Sequence, residues 1–266
     1  MNIYIINMKN NLFILIISTL ILIIILIQYH MPILIPNILN SINSTRNNES
    51  LDVVIAHYKE NLSWVDVLLP ENCRIFIYTK SNHKPNCKRK YYHKYLKNIG
   101  RDGHTYLYHI ITNYNKNNSK NILFVTGSCD IIIKRMILNT ILNNTGKYDF
   151  NHVFLSRNKY LTKLVEYYTI KYFKTFGYTS SHKNNRHSTN KLIKYKFNNL
   201  NEFTNYFNIK INYIPWTFGI FMIKSNLIKN NSKEYYIQLI NHMKQGENLL
   251  NGHLLERSWY SILTKK

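Results

Sequence analysis

Cysteine is scarce: three in 266 residues, Cys73, Cys87 and Cys129, with no two at C-x-x-C spacing. A structural zinc site draws on that spacing, so the cysteines do not suggest a zinc-stapled fold. A Cys73–Cys87 disulfide in an oxidising compartment stays open, with Cys129 left over. Acidic residues are few as well, 13 Asp and Glu against 35 Lys and Arg, and no D-x-D pair occurs. A metal held by two neighbouring carboxylates therefore has no sequence signature. No G-x-S-x-G elbow is found and Cys129 has no recognisable partner, which leaves serine- or cysteine-type hydrolysis without support.

The net charge of +22 would ordinarily point to nucleic acid or an anionic membrane. The excess is dispersed, without a basic tail or a lysine block, and Asn, Lys, Ile and Tyr are inflated together, including 22 tyrosines. These are the residues of A- and T-rich codons, so most of the charge reads as the genome composition of an AT-rich parasite or large DNA virus. A smaller part is left for phosphate-bearing ligands, and nucleic acid is not the expected partner.

One uncharged run stands out, the sixteen residues from Leu12 to Ile27. A membrane span usually takes about 20 apolar residues, with roughly 17 as the lower bound, and Gln28 and Tyr29 can sit at the interface. A cleaved signal peptide is the rival reading, but Q-Y-H-M-P-I-L-I-P follows instead of a small-x-small cleavage site. The expectation is a tail over 1–11, a signal-anchor in the lipid bilayer over 12–28, a Pro-, Asn- and Ser-bearing stem over 29–50, and a folded domain over 51–266. Lys9 before the anchor favours a cytosolic N-terminus, hence a single-pass protein whose domain is lumenal, in a host endoplasmic reticulum or Golgi, or virion-associated. Six N-x-S/T sequons, at Asn43, Asn48, Asn61, Asn117, Asn143 and Asn230, add little in so Asn-rich a chain.

From Leu51 onward strand and helix signals alternate. L-D-V-V-I-A-H-Y, R-I-F-I-Y-T-K and K-N-I-L-F-V-T-G-S read as buried strands, with Val53–Ala56, Ile75–Tyr78 and Ile122–Val125 as neighbours in one parallel sheet. Between and after them come a short helix opened by Asn61, a helix with Tyr106, Leu107, Ile110, Ile111 and Tyr114 at helical spacing, and the helix I-I-I-K-R-M-I-L-N-T-I-L. That order predicts an α/β fold, a compact Rossmann-like, mainly parallel sheet with flanking helices. Ligands in such sheets sit beyond the carboxyl ends of the strands. Those ends carry His57, Tyr58, Lys59 and Glu60, then Thr79 and Lys80, then Gly127, Ser128, Cys129 and Asp130. The stretch from about Lys159 to Asn212 is the least legible. Order resumes with a strand in Y-I-P-W-T-F-G-I-F-M-I-K, a helix near Lys233–Lys244, and a last helix in which Leu254, Leu255, Trp259 and Ile262 form an apolar stripe.

The densest polar constellation is N-I-G-R-D-G-H-T-Y-L-Y-H, residues 98 to 109. Gly100 and Gly103 can take backbone angles that other residues avoid, presenting Arg101, Asp102 and His104 on a tight turn at a helix start. The first turn of a helix offers unpaired N–H groups and the positive dipole end, so the site suits an anion. An ordinary loop with Asp102 as cap is the plain alternative. His253 and Glu256, three residues apart, share a helix face, which as often marks a cap or a solvated charge.

Five strings, V-V-I-A-H-Y-K-E-N-L-S-W, N-I-G-R-D-G-H-T-Y-L-Y-H-I-I, I-L-F-V-T-G-S-C-D, W-T-F-G-I-F-M-I-K and G-H-L-L-E-R-S-W-Y-S-I-L, occur in this order between Leu51 and Leu263. In them the chain resembles the uncharacterised domain family numbered 3431, which is similar to a compact relative of the nucleotide-sugar glycosyltransferases of A-type fold. The resemblance implies a nucleotide-sugar donor and a glycan or protein acceptor. An A-type enzyme holds Mn²⁺ or Mg²⁺ with a strand-end carboxylate against the diphosphate. Asp130 stands at that place, with His253 as a further metal ligand. Glu256 or Glu60 is the candidate base for the acceptor hydroxyl. Lys59, Arg101 and His104 are placed on the diphosphate, and Asp102 and Trp216, the latter in the W-T-F-G string, elsewhere on the substrate. The competing expectation is a degenerate, non-catalytic membrane-anchored binding or surface protein.

Overall fold

The computed structural model describes residues 50–116, 119–151, 197, 200–211, 219–243 and 250–265. The expected anchor over 12–28, the stem and Trp216 lie outside them. No helix among the described residues is long and apolar enough to cross a membrane.

Among the described residues six strands form one sheet: β1 (Leu51–His57), β2 (Arg74–Thr79), β3 (Tyr92–Tyr95), β4 (Asn121–Thr126), β5 (Phe150–Asn151) and β6 (Phe221–Lys224). Their order is β3-β2-β1-β4-β6-β5. The pairs β1–β2, β1–β4 and β2–β3 are parallel, whereas β6 runs antiparallel to both β4 and β5. The expected trio holds in register: Val53 stands opposite Ile75 on one side and Leu123 on the other. Each of the three is almost wholly buried. That is what near-continuous apolar strands require when helices cover both sheet faces.

The helices are α1 (Ser63–Leu68), α2 (Arg101–Asn113), α3 (Ile132–Leu142), α4 (Leu200–Tyr206), α5 (Lys233–His242) and α6 (Leu250–Leu263), with a 3₁₀ turn over Ser225–Asn230. On one sheet face Val54, Tyr78, Ile122 and Phe124 join Tyr106, Leu107 and Ile110 of α2 and Leu254, Leu255, Trp259 and Ile262 of α6 in a single cluster. The alternate strand residues Val53, Ile55, Ile75, Ile77, Leu123 and Val125 are equally buried outside that cluster, as are Trp64 and Val65 of α1 and Leu138 and Ile141 of α3. Leu62, not Asn61, stands at the cap of α1; Asn61 makes a turn just before it, its Oδ1 accepting from the Ser63 N–H at 2.9 Å. All three cysteines are free thiols, so the Cys73–Cys87 pairing is not formed; Arg89 Nη2 reaches Cys73 Sγ at 3.5 Å.

Two features fix the sheet's opposite ends. At the amino end, Arg74 grips the buried Asp52 through Nε at 2.7 Å and Nη2 at 2.8 Å, and Ser119 Oγ donates to the same carboxylate at 2.7 Å. Asp52 and Arg74 are register partners, so the bidentate pair locks β1 against β2. At the carboxyl end, Thr79 Oγ1 lies 3.0 Å from His57 Nδ1 and 2.9 Å from His93 Nε2. His57 Nε2 faces the Glu60 carbonyl at 3.2 Å and must donate to it. Thr79 then donates to His57 and accepts from His93, pinning the ends of β1, β2 and β3 together.

Candidate functional site

The chain turns from β3 into α2 through a backbone that few residues tolerate. Gly100 has φ 59° and Arg101 φ 51°, both in the left-handed region. Glycine is required at position 100: a Cβ there would lie 2.6 Å from the Met243 carbonyl oxygen and 2.8 Å from His104 Cβ. Gly103 departs from the sequence expectation. It shows no left-handed φ; instead its missing Cβ lets Leu255 of α6 approach, since a Cβ would stand 2.9 Å from Leu255 Cδ2. The first glycine shapes the turn and the second lets two helices touch.

Lys80, buried just past the end of β2, holds this turn from below. Its Nζ donates to the Ile99 carbonyl at 2.5 Å and also to the Arg101 carbonyl. Burial pushes the ammonium down to about 7, with Asp102 partly opposing the shift. Arg101, exposed at the helix start, sends Nη1 to His253 Nε2 at 2.6 Å. An arginine cannot accept, so His253 Nε2 is the acceptor and its proton sits on Nδ1, 3.7 Å from Glu256 Oε2. Arg257 Nη1 lies 3.5 Å from the same carboxylate oxygen.

The two carboxylic acids of this group are driven apart. Burial raises Asp102, and the Glu256 charge adds to it against Arg101, Lys80 and His253. For Glu256 burial also acts upward, but the His253 hydrogen bond and the charges of Arg257, His253 and Arg101 outweigh it and hold the carboxyl low. Burial pushes the His253 imidazole down, against its hydrogen bond to Glu256, and Arg101 lowers it further. The neutral imidazole thus stands between a cation and an anion. Room for Asp102 comes from Gly219, φ 74°, where a Cβ would collide with Asp102 Oδ2. Tyr106 Oη fixes that turn by donating to the Gly219 carbonyl at 2.6 Å.

Arg101, Asp102, His253 and Glu256, picked out in the sequence, are therefore brought together at the carboxyl edge of the sheet, across 152 residues for the Arg101–His253 pair. His104 is buried in the first turn of α2 beside Gly100. Glu60 is engaged elsewhere: Oε2 accepts the N–H groups of Tyr58 at 2.6 Å and Lys59 at 3.1 Å, folding the turn after β1 over Gly127. Lys59 is exposed, its Nζ 5.3 Å from the Tyr58 ring centroid. Asp130 is exposed on the turn after β4, and among the described residues no hydrogen bond or ion pair ties it to the cluster. No three His, Cys, Asp or Glu side chains gather to hold a metal ion among the described residues. The expected Asp130/His253 cation site does not fit this donor set, because the one lone pair of His253 faces a guanidinium.

Lys80 and Arg257 are the members to which sequence reasoning gave no role. A lysine directly after a buried strand was the available signal for the first. Arg257 adjoins Glu256 in sequence, and nothing local marks it as a partner of the same carboxylate.

No curated protein and no solved structure matches the chain. A family model does match, over residues 53–135, a stretch that holds β1 to β4, α2 and the start of α3 and so includes Lys80, Arg101 and Asp102. The strings around Trp216 and His253, which carry the far end of the resemblance, lie beyond it. Over residues 53–135 the chain is similar to the family described as "Protein of unknown function (DUF3431)".

Proposed function

We propose that this chain is a glycosyltransferase-like enzyme that takes a nucleotide-sugar donor at the carboxyl edge of its Rossmann-like sheet. One observation carries the reading: Arg101, at the start of α2, reaches His253 and through it Glu256, beside the buried carboxyl of Asp102, and these surroundings push the two carboxyl groups in opposite directions. Paired carboxyl groups whose surroundings separate them in this way supply an acid and a base at one pH. In this reading Glu256 removes the acceptor hydroxyl proton while the acceptor oxygen bonds to the anomeric carbon. The bond from that carbon to the diphosphate breaks, and the nucleoside diphosphate leaves. Arg101 and the N–H groups at the start of α2 neutralise its charge, and Lys80 keeps them in position. Charge neutralisation falls to side chains here, and no step is assigned to Mn²⁺ or Mg²⁺. The apolar run over 12–28 supports a bilayer anchor with the domain on the lumenal side, checked by retention in the membrane pellet after alkaline carbonate extraction.

Calorimetric titration of the full chain in detergent with UDP- and GDP-sugars tests the site. Arg101→Gly is expected to weaken donor binding by roughly 10- to 100-fold, the loss of one charge-assisted contact. Glu256→Gln is expected to keep donor binding and abolish transfer. A second reading has an observation of its own: Arg101 is already engaged by His253, Glu256 by His253 and Arg257, and Lys80 by two carbonyls, as in a degenerate site kept for binding or structure. Binding of no nucleotide sugar, with or without Mn²⁺, would leave that second reading.

A further inference from the structure

Edge strand β3 is unlike the rest of the sheet, with all four of its residues exposed, Tyr92 at 61% and Tyr95 at 54%. Its two faces differ. Tyr92 stacks on Phe76 with centroids 5.0 Å apart, and Lys94 Nζ lies 5.4 Å from the Tyr108 ring centroid, so these two turn toward the α2 side. On the other face Tyr91, His93 and Tyr95 form a ladder of rings, with centroid spacings of 6.0 Å and 4.5 Å. β3 is parallel to β2, so the ladder rises toward the carboxyl edge. Only the loop from Leu96 to Gly100 separates Tyr95 from Arg101.

The ladder's setting is strongly cationic. Lys84, Lys88, Arg89, Lys90, Lys94 and Lys97 fall in a stretch, 80 to 97, that contains no Asp or Glu. Arg89 is tied down by the carbonyls of Leu69, Pro70 and Glu71. Among the described residues the ammonium groups of Lys84, Lys88, Lys90 and Lys97 have no hydrogen bond or ion pair. Lysines on an edge strand also discourage sheet-to-sheet association. That role needs no ring ladder and no approach to the site.

We propose that the Tyr91–His93–Tyr95 face of β3 with its lysines is the acceptor platform, and that the acceptor is a linear acidic glycan, its sugar rings bearing carboxylate or sulfate. The assignment rests on the transferase reading above. A pyranose presents a flat C–H face with slight positive character that suits the negative face of an aromatic ring. Rings spaced along a strand suit successive sugars, and the lysines that flank them in the sequence suit sugars that carry charge. A chain lying along β3 delivers its end to Arg101 and Glu256.

The test measures binding of the full chain, in detergent, to an oligogalacturonate, to a neutral maltooligosaccharide of equal length and to an oligo-dT strand of equal charge. The acidic glycan is expected to bind at least about ten-fold tighter than either of the others. Tyr91→Ala with Tyr95→Ala is expected to remove that margin, and Tyr92→Ala, on the opposite face, to keep it. Equal binding of the neutral sugar, equal or tighter binding of oligo-dT, or indifference to the Tyr91/Tyr95 change would overturn the proposal. If the aromatic variant does not fold, Lys84→Gln with Lys97→Gln decides: the salt dependence of glycan binding should flatten, and an unchanged slope refutes the platform. UDP-glucose binding followed in parallel separates the two readings. Glycan binding lost while the donor still binds overturns the acceptor alone, and the reverse overturns the transferase reading.

Discussion

His109 is wholly buried among Phe76, Tyr78 and Phe124, its Nδ1 accepting from Tyr78 Oη at 2.9 Å. Its Nε2 then carries the proton and meets no hydrogen-bond partner among the described residues. Burial lowers the imidazole from 6.5 to about 4, with Asp52 opposing and Arg74 reinforcing the shift. The sign of the linkage is fixed by this direction. Between about 4 and 6.5 the unfolded chain binds the proton that the folded chain refuses, so stability rises with pH across that window and is lost on acidification. For this group alone the loss from pH 7 to pH 5 is about 2 kcal/mol. Urea denaturation at the two pH values should show it, and His109→Gln, which still offers Tyr78 an acceptor, should remove it. An equal acid loss in the variant would place the effect on other groups.

At the scale of elements, α2 is held by two glycines for opposite reasons. Gly100 is left-handed and its would-be Cβ meets the Met243 carbonyl, a backbone atom that cannot step aside. Gly100→Ala should therefore cost roughly 2–3 kcal/mol, combining strain and displacement of the helix start. At Gly103 the obstacle is the mobile end of Leu255, and alanine gains about 1 kcal/mol in helix propensity. Gly103→Ala should stay within about 1 kcal/mol of the parent by chemical denaturation, and a reversed ranking of the two would refute this account. The sequence makes α2 legible because Tyr106, Leu107 and Ile110 repeat at helical spacing, and β1, β2 and β4 because their apolar runs are unbroken. β3 escapes notice because Y-H-K-Y has no buried face to write a pattern. The antiparallel sense of β6 is set by its pairing with β4, which no local signal encodes. The same holds for the site: the first turn of α2 advertises an anion turn, while its union with His253 and Glu256 depends on where α6 packs.

Taken as a whole, the molecule separates its supports from its chemistry along the strand axis. The Asp52–Arg74–Ser119 clamp closes the amino end of β1, and Lys80, Arg101, Asp102, His253 and Glu256 crown the carboxyl end. β1 has seven residues, so at about 3.3 Å per residue the two ends are roughly 20 Å apart. Perturbations that far apart and without shared partners should add. Asp52→Asn leaves the guanidinium of Arg74 without its ion pair at a buried carboxylate site; with the arginine partly exposed, the expected cost is about 2 kcal/mol, below that of a fully buried pair. Donor binding should be untouched. Arg101→Gly gives up the contact with His253 but relieves a left-handed φ of 51°, so its stability should remain within about 1 kcal/mol while donor binding falls. The double variant should show the sum of the two stability changes and the binding loss of Arg101→Gly alone. If Asp52→Asn weakened nucleotide-sugar binding, or if the two stability changes departed from additivity by more than about 0.5 kcal/mol, the two ends of the sheet would be coupled and the division drawn here would fail.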